Sequence, residues 1–490
     1  MVWIFAGYLM LTLGLGLWKA RSTRTQADFV LGSSRIAGWA LALSERATGE
    51  SAWLLLGFSG YVYAHGLSAI WIGVGCLAGI STAWLALAGR FRAEAARTES
   101  MTMPEYFAAR FPEKAAAIRL LSTLIIVFFF VFYVGAQFAG AGKTIFQTFG
   151  LDQRWSQVAA ALVIMIYATM GGFVSVVAVD VLQSILMITT LIVAPAVMLV
   201  MAAGEPATMG QALGSAGAGM DSFTGTAGGF AAGLLIFNHF SWFFGYLGGQ
   251  PQLNARFMGM RDERNVRIGR NIAIGWTVVA YSGVVILGLS ALVLFGPNAV
   301  EDPEMILPHA LMKLFPWWLA AILLAGAVAA MISTAQSMLL VAASSLSQDV
   351  YAGIVKKGKA EQQRVLLVSR IATLAVGVLG LVLALTTKDL IYTIVSYAWA
   401  GIGCSFAPAV LLCFFWKRFS GPGLVAALVA GILTTVLWMS WPHIMNIIGA
   451  PGLAVNLEGT VTARAVTFFV SMAAAIITTL LSETTSRDNR

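Results

Sequence analysis

Four charged side chains fall inside the apolar stretches of this 490-residue chain away from their basic ends; Glu45, Arg46 and Glu50 lie within six residues of one another, and the fourth is Asp180. Charged groups at membrane depth are costly, and where they persist they mark ion paths, proton carriers or counterions. The surrounding run, Ser44-Glu45-Arg46-Ala47-Thr48-Gly49-Glu50-Ser51, is small and rich in hydroxyls. An unbroken lipid-facing helix would not tolerate it, whereas a helix that opens mid-membrane would offer these groups to a cavity. One helical turn separates Arg46 from Glu50, so a buried ion pair against a neighbouring helix satisfies the same pattern. A second unusual run extends from Asn238 to Pro251 and ends with three glycines and a proline in seven residues. That composition does not sustain a continuous helix. His239, one turn earlier, titrates near neutrality when hydrated and otherwise serves as a hydrogen-bonded packing residue.

The elements that must hold these groups follow from composition. The chain is 59% apolar and 11% charged, against about 25% charged in a soluble domain. Disorder, a fibre and a water-soluble enzyme are excluded. Apolar runs of about 20 residues, the length that crosses a bilayer, predict about thirteen helices, near 2–18, 37–61, 68–89, 117–142, 155–171, 178–203, 229–251, 271–296, 315–345, 365–387, 390–416, 421–442 and 464–482. The first lacks a basic leading region and a cleavage site and reads as a helix rather than a signal peptide. Cys76, Cys404 and Cys413 lie in apolar runs and imply no disulfide framework. Neither a catalytic triad, zinc spacing nor a phosphate loop is present, and Gly14-Leu15-Gly16 has no strand before it, so no enzyme is expected.

Of the 30 Lys and Arg residues, 24 fall on alternate loops, with Arg256 counted among them, and 5, including Arg464, on the opposite loops. Basic residues favour the cytoplasm, which predicts an outer N-terminus and a cytoplasmic C-terminus. The net charge of +8 is then an orientation signal toward acidic lipid headgroups rather than nucleic acid. The two interrupted helices open spans five apart. Discontinuous helices at matching places in two halves point to an inverted-repeat transporter with a mid-membrane site. The expected division is 1–36 as an N-terminal helix and cytoplasmic loop, 37–203 as the first five-helix repeat and 204–228 as an extracellular loop. The second repeat follows over 229–416, and two extra helices with a cytoplasmic tail over 417–490. The extra helices are expected to pack beside the core. A membrane sensor would need a separate signalling partner, and two broken helices around a gated centre suit a carrier better than a channel.

Several motifs occur in a fixed order. They are Asp28-Phe29-Val30-Leu31-Gly32 with Trp53-Leu54-Leu55-Leu56-Gly57; Thr102-Met103-Pro104-Glu105-Tyr106-Phe107 with Arg110-Phe111; and Gly171-Gly172-Phe173 with Asp180 and Gln183. Trp242, Gly245, Tyr246, Gln250-Pro251 and Arg256-Phe257-Met258 follow, then Ser333-Thr334, Ser344-Ser345 and Asp349-Val350-Tyr351. Over roughly residues 27 to 420 the sequence resembles the sodium/solute symporter family, and most of all its sodium/proline branch. The resemblance implies an all-α polytopic membrane protein with a leucine-transporter-like five-plus-five inverted repeat, one preceding and two following helices. It also implies cation-driven uptake of a small amino acid, proline foremost, across a bacterial-type inner membrane by alternating access. Sodium would be the coupling ion, with no other cofactor. Carried over, the sodium site would use backbone carbonyls of Ala47, Glu50 and Ala330 with the hydroxyls of Ser333 and Thr334. The substrate pocket would use Ser51, Trp53, Tyr133, Trp242, Tyr246, Gln250 and Pro251, an apolar ring lying between aromatic walls with its carboxylate near exposed amides.

This chain departs from the proline branch where coupling is decided. Gly49 stands in place of an aspartate, Glu50 in place of an apolar residue, and Glu45 and Arg46 in place of small ones. Three readings stay open: Glu50 restores the carboxylate, beside sodium or as a proton carrier; Arg46 pairs with Glu50 and keeps it charged; or Arg46 holds a solute carboxylate. Asp180 and Ser337 match positions where some relatives carry a second sodium, but Val179 replaces the usual preceding hydroxyl. A plain hydrogen-bonding role for Asp180 fits equally.

Overall fold

The computed structural model describes residues 1–21, 29–32 and 36–488; Asp28 of the first motif, and Arg24, Arg35 and Arg490 among the 24 loop charges counted above, lie outside the described residues. The described residues form helices and no strands. Among the described residues, ten helices are long and apolar enough to cross a membrane, or eleven if the bent pair Gly229–Tyr246 and Pro251–Met258 is one span. Two of the helical runs are too long for one crossing. Gly38–Thr98 spans 61 residues, roughly three times what a bilayer needs, and Gly66 interrupts it at φ 65°. Gln153–Ala203 spans 51 residues and is interrupted at Gly172, with φ 61° and ψ −178°. That backbone conformation is essentially open only to glycine, which explains the Gly171-Gly172 pair. Divided at these points, the runs account for the thirteen expected helices.

The elements that build the site are α1 (Val2–Ala20), α2 (Gly38–Ala52), α3 (Ile70–Thr82), α4 (Ala115–Phe149), α5 (Gln153–Ala203), α6 (Gly229–Phe240), α7 (Trp242–Tyr246) and α8 (Pro251–Met258). They continue with α9 (Glu263–Phe295), α10 (Trp317–Ser344), α11 (Gln362–Thr386), α12 (Ile391–Phe415), α13 (Gly421–Ile447) and α14 (Ala463–Asp488). Local sequence fixes the helix starts. Asp152 accepts from the Arg154 and Trp155 amides at the start of α5, and Asp262 accepts from Asn265 N at 2.8 Å at the start of α9. Ser420 does the same for Gly423 in α13, and Pro251 opens α8, each satisfying or avoiding an orphan amide.

With little hydrophobic drive between helices in lipid, close approach of small residues holds such a bundle. A Cβ on Gly249 would lie 1.9 Å from the carbonyl oxygen of Gly403, and one on Gly245 would lie 2.2 Å from Nε1 of Trp399. These glycines seat the second broken helix directly on α12.

Two basic residues assigned above to loops are buried in the bundle. Arg256 is fully buried and pairs with Asp180, and Arg464 is 3% exposed at the start of α14. Arg256 follows Pro251, where one expected span has ended, and Arg464 is the first residue of the last expected span, but at both places the chain is inside the protein. They contribute nothing to a loop-charge count.

Candidate functional site

The first interruption comes at Ser51, with φ 53° and ψ −175° inside α2, followed by a π turn over Trp53–Phe58. A non-glycine residue held there costs about 1–3 kcal/mol and persists only where its surroundings dictate it. Those surroundings come from α4. Gln137 Oε1 accepts the freed Ala52 N–H at 2.8 Å, and Ser51 Oγ meets Tyr133 OH at 3.2 Å while accepting from Trp53 N at 3.1 Å. Residues 44–50, expected to open, stay helical, so the break sits at the end of the predicted strip. The second interruption covers Leu247–Gln250, where Gly248 has φ 77°. Both breaks lie in buried protein.

The predicted pocket residues come together around them. Trp53 and Trp242 rings are 4.3 Å apart, and Tyr246 lies 4.6 Å from Trp399. Trp399 also reaches Trp242 at 6.1 Å and Tyr133 at 6.2 Å. Tyr246 OH meets Tyr281 OH at 3.1 Å. Pro251 is buried as the first residue of α8, and Gln250 Oε1 accepts from Gln252 at 3.0 Å. The indole N–H groups of Trp53, Trp242 and Trp399, and Nε2 of Gln250, are buried with no hydrogen-bond partner among the described residues. Buried donors are normally paired, so four at one locus mark a place where an acceptor belongs. Of the amides freed at the first break, which could meet a solute carboxylate, those of Ala52 and Trp53 are already taken by Gln137 and Ser51.

Behind this cage lies a polar network in which both charges are satisfied, though Gln336 Oε1 has no partner among the described residues. Asp180 accepts from Ser44 (2.5 Å), Ser333 (2.6 Å), Gln336 (2.7 Å) and Arg256 (3.2 Å). Arg256 donates further to Ser337 at 2.6 Å, Thr48 at 3.1 Å, Ser44 at 3.1 Å and the Gln252 carbonyl at 2.8 Å. One ion pair thus ties together α2, α5, α8 and α10. Asp180 is far more than a helix-start acceptor, and Ser337 serves Arg256 and Thr48.

Among the predicted cation ligands, Thr334 donates to the Thr48 carbonyl at 2.9 Å and Ser333 to Asp180. Ala47, Glu50 and Ala330 are buried beside them, and the Glu50 carbonyl accepts from Trp53 N. The oxygens that do meet here, the Thr334 hydroxyl with the Thr48 carbonyl and the Ser333 hydroxyl with the Asp180 carboxylate, are of the kind a hard cation takes.

The Arg46–Glu50 pair, one of the readings left open by the sequence, does not form. Arg46 makes a two-pronged pair with its neighbour Glu45 and reaches Thr277 at 3.3 Å, and Trp84 Nε1 donates to Glu45 at 3.1 Å. Glu50 Oε1 accepts from Trp276 Nε1, and Oε2 is buried without a partner. Helix α9, expected as a span but given no site residue, supplies both Trp276 and Thr277.

A cavity of about 570 Å³ opens beyond the cage at the end of the first core helix, near Tyr61, and is lined also by Asn238, His239, Tyr392, Ser396 and Arg464. At the opposite end, near Val30, the space between Met103, Pro251 and Ser345 is only about 20 Å³. His239 is held between Tyr61 OH at 3.1 Å and the Ser68 carbonyl at 3.0 Å, the packing role. Arg464 lies 4.4 Å over the Trp242 ring and donates to Ser241 and Ser396. The helices beyond 417 therefore reach the site instead of merely flanking it. Gln137, Trp399, Arg256 and Arg464 were all missed.

A family model described as the sodium:solute symporter family matches residues 29–431. The osmoregulated proline transporter OpuE of Bacillus subtilis is 30% identical over 480 residues, covering 97% of this chain and 94% of that protein. The sodium/proline symporter of Salmonella typhimurium is 31% identical over 469 residues, covering 94% and 91%. Among solved structures, a sodium-coupled sialic acid symporter in a substrate-bound outward-open state aligns with TM-score 0.78 at 18% identity, covering 98% of this chain and 97% of its own. MhsT in complex with L-phenylalanine aligns with TM-score 0.56 at 13% identity, covering 90% and 97%. These two likenesses concern the fold.

Proposed function

The chain belongs to the sodium:solute symporter family, and from that premise we propose that it couples an inward sodium gradient to uptake of a small amino acid, with proline the favoured solute. The relatives are multi-pass membrane transporters, not enzymes. The observation that carries the reading is the cage of Trp53, Trp242 and Trp399, whose three indole N–H groups have no acceptor among the described residues. Aromatic faces hold an apolar ring, and unpaired donors accept the carboxylate or carbonyl of a solute. Sodium enters beside the break at Ser51, held by the carbonyls of Ala47, Glu50 and Ala330 and the hydroxyls of Ser333 and Thr334. Because Ser333 and Thr334 already serve Asp180 and Thr48, ion binding turns those hydroxyls toward the cation and couples the first and second repeats, 37–203 and 229–416. The wide cavity faces outward, with the N-terminus outside and the C-terminus cytoplasmic.

Purified protein in proteoliposomes, given an inward sodium gradient, accumulates labelled proline above equilibrium. Binding without accumulation would mean a sensor, and equilibration without accumulation a channel; either outcome overturns the symport reading.

The partnerless Oε2 of Glu50 supports a second reading, proton coupling, because a fully buried carboxylate gains from carrying a proton when nothing else satisfies it. Glu50→Gln separates the two. Sodium dependence retained with the pH dependence of uptake lost would assign the proton to Glu50; both unchanged would remove Glu50 from coupling.

A further inference from the structure

Two motifs of the sequence have no part in the cage or the coupling site: Ser344-Ser345, and Thr102 with Asp349. The fold brings them together. Ser344 and Ser345 stand at the end of α10, where the α-helix gives way to a π helix over Ser345–Val355. Such wide turns are rare and recur at functional sites. Ser344 is 3% exposed and Ser345 fully buried, and neither hydroxyl has a hydrogen-bond partner among the described residues. Both line the cleft of about 20 Å³ between Met103 and Pro251, together with Thr102, Leu340 and Val341. That is room for one water-sized particle. Thr102 Oγ1 donates to Asp349 Oδ2 at 2.8 Å, so a buried carboxylate stands one hydrogen bond behind the cleft. Asp349 and Glu105 share a single arginine, Arg119, at 3.3 and 3.8 Å, which leaves that group of three with one excess negative charge.

We propose that this cleft is a sodium exit site, where the ion leaving Ser333 and Thr334 is held by the hydroxyls of Ser344, Ser345 and Thr102 before it enters the cytoplasm. The proposal rests on the sodium-coupled reading above and on its orientation, which puts the cleft at the cytoplasmic end. Hydroxyl oxygens are the ligands a hard cation takes in place of water, and the excess negative charge behind them favours a cation over a neutral water molecule. Ser333, Ser337 and Ser344 stand at i, i+4 and i+11, within about 40° of one another on a helix of 3.6 residues per turn. One side of α10 therefore carries hydroxyls from the coupling site to the cleft, about 16 Å along its axis. Leu340 falls on that same side, is 1% exposed and lines the cleft. It is an apolar step that keeps the two ion positions apart. The Asp349 carboxylate acts through Thr102 rather than by direct contact, which makes the site weak enough for an ion to leave.

The test follows labelled proline uptake into right-side-out vesicles at fixed external sodium, while internal sodium is varied against choline at constant ionic strength. An occupied exit site blocks release of the next ion, so internal sodium slows uptake by the wild type. In Ser344→Ala/Ser345→Ala the internal sodium that gives half inhibition is expected to rise about tenfold. The external sodium that gives half-maximal uptake should stay within about twofold. Ser344→Thr/Ser345→Thr, which keeps both hydroxyls, should behave as the wild type does. Ser345→Ala alone, the milder change, should give part of the rise and serves where the double variant does not reach the membrane. Equal inhibition by internal sodium in the wild type and the alanine variants would overturn the proposal. So would equal inhibition by internal potassium, or a parallel shift of the internal and external constants, since the pair would then serve the coupling site or the fold. A wild type whose uptake ignores external sodium would sink the sodium-coupled reading itself, a different result from a change confined to the inner side.

Discussion

Two buried polar regions sit within a few side chains of each other and are built on opposite terms. Around Asp180 and Arg256 the charges balance, and Asp180 accepts from four side chains. Around the two breaks, three indoles and the Gln250 amide are buried with donors unused. An ion pair whose two charges are both satisfied needs no charge from outside, so it holds helices in register. An unsaturated cage is destabilised until an acceptor arrives, so it discriminates among solutes. Removing a group from the first should therefore cost stability, and removing one from the second should cost affinity.

The largest effect tests the saturated side. Asp180→Ala leaves Arg256 charged, buried and without its carboxylate, which costs about 3–5 kcal/mol. Thermal unfolding in detergent should show a drop of many degrees, while Asp180→Asn, which keeps most of the hydrogen bonds, should lose less. A variant of normal stability would mean that the network is not structural and would erase the contrast.

The next tests the unsaturated side. Trp399→Phe keeps a ring against Tyr246 but removes the unused N–H. Proline binding should weaken by about three- to tenfold, the worth of one hydrogen bond, and the unfolding midpoint should move little. Binding measured by isothermal titration alongside thermal unfolding checks both halves. A large loss of stability with unchanged affinity would reverse the roles assigned to the two regions.

How much of this was visible in the residues follows the same division. The breaks were legible because glycine, proline and charges inside apolar runs are locally incompatible with a lipid-facing helix. Trp53, Trp242 and Tyr246 were reached through the motifs around them. Trp399 was invisible, since one more aromatic in an apolar helix has no pattern; only the approach allowed by Gly245 and Gly403 brings it to the cage. Gln137 left a usable trace as a lone amide in an otherwise apolar stretch of α4, and a search for such residues would have found the group that satisfies the Ser51 break. Arg256 and Arg464 were misread because position relative to an apolar run is a proxy for depth, and the proxy fails where a helix breaks or begins inside the protein. Glu50 was singled out, but its partner Trp276 comes from a helix 226 residues away, a distance that spacing alone does not bridge.

The smallest effect sharpens the comparison by moving a saturated carboxylate out of the membrane. Glu304, in the short turn Pro303–Met305, accepts from Lys143 Nζ at 3.1 Å and from the Ile391 and Tyr392 amides at 3.0 and 2.8 Å, capping the start of α12. Burial pushes its carboxyl above the ordinary value of 4.5, and the Lys143 ammonium and the two amides pull it partly back. The folded state then binds the proton more tightly than the unfolded chain. Stability contributed by this group is full below the ordinary carboxylate value, falls as pH rises toward the raised value, and is flat above it. Glu304→Gln should remove that slope, with unfolding midpoints followed from about pH 4 upward. Because the Lys143 left behind is partly exposed and can be hydrated, whereas Arg256 is fully buried, the variant should lose far less stability than Asp180→Ala. If the two substitutions cost the same, saturation alone would set the penalty, and depth in the bundle, the second half of the comparison, would carry no weight.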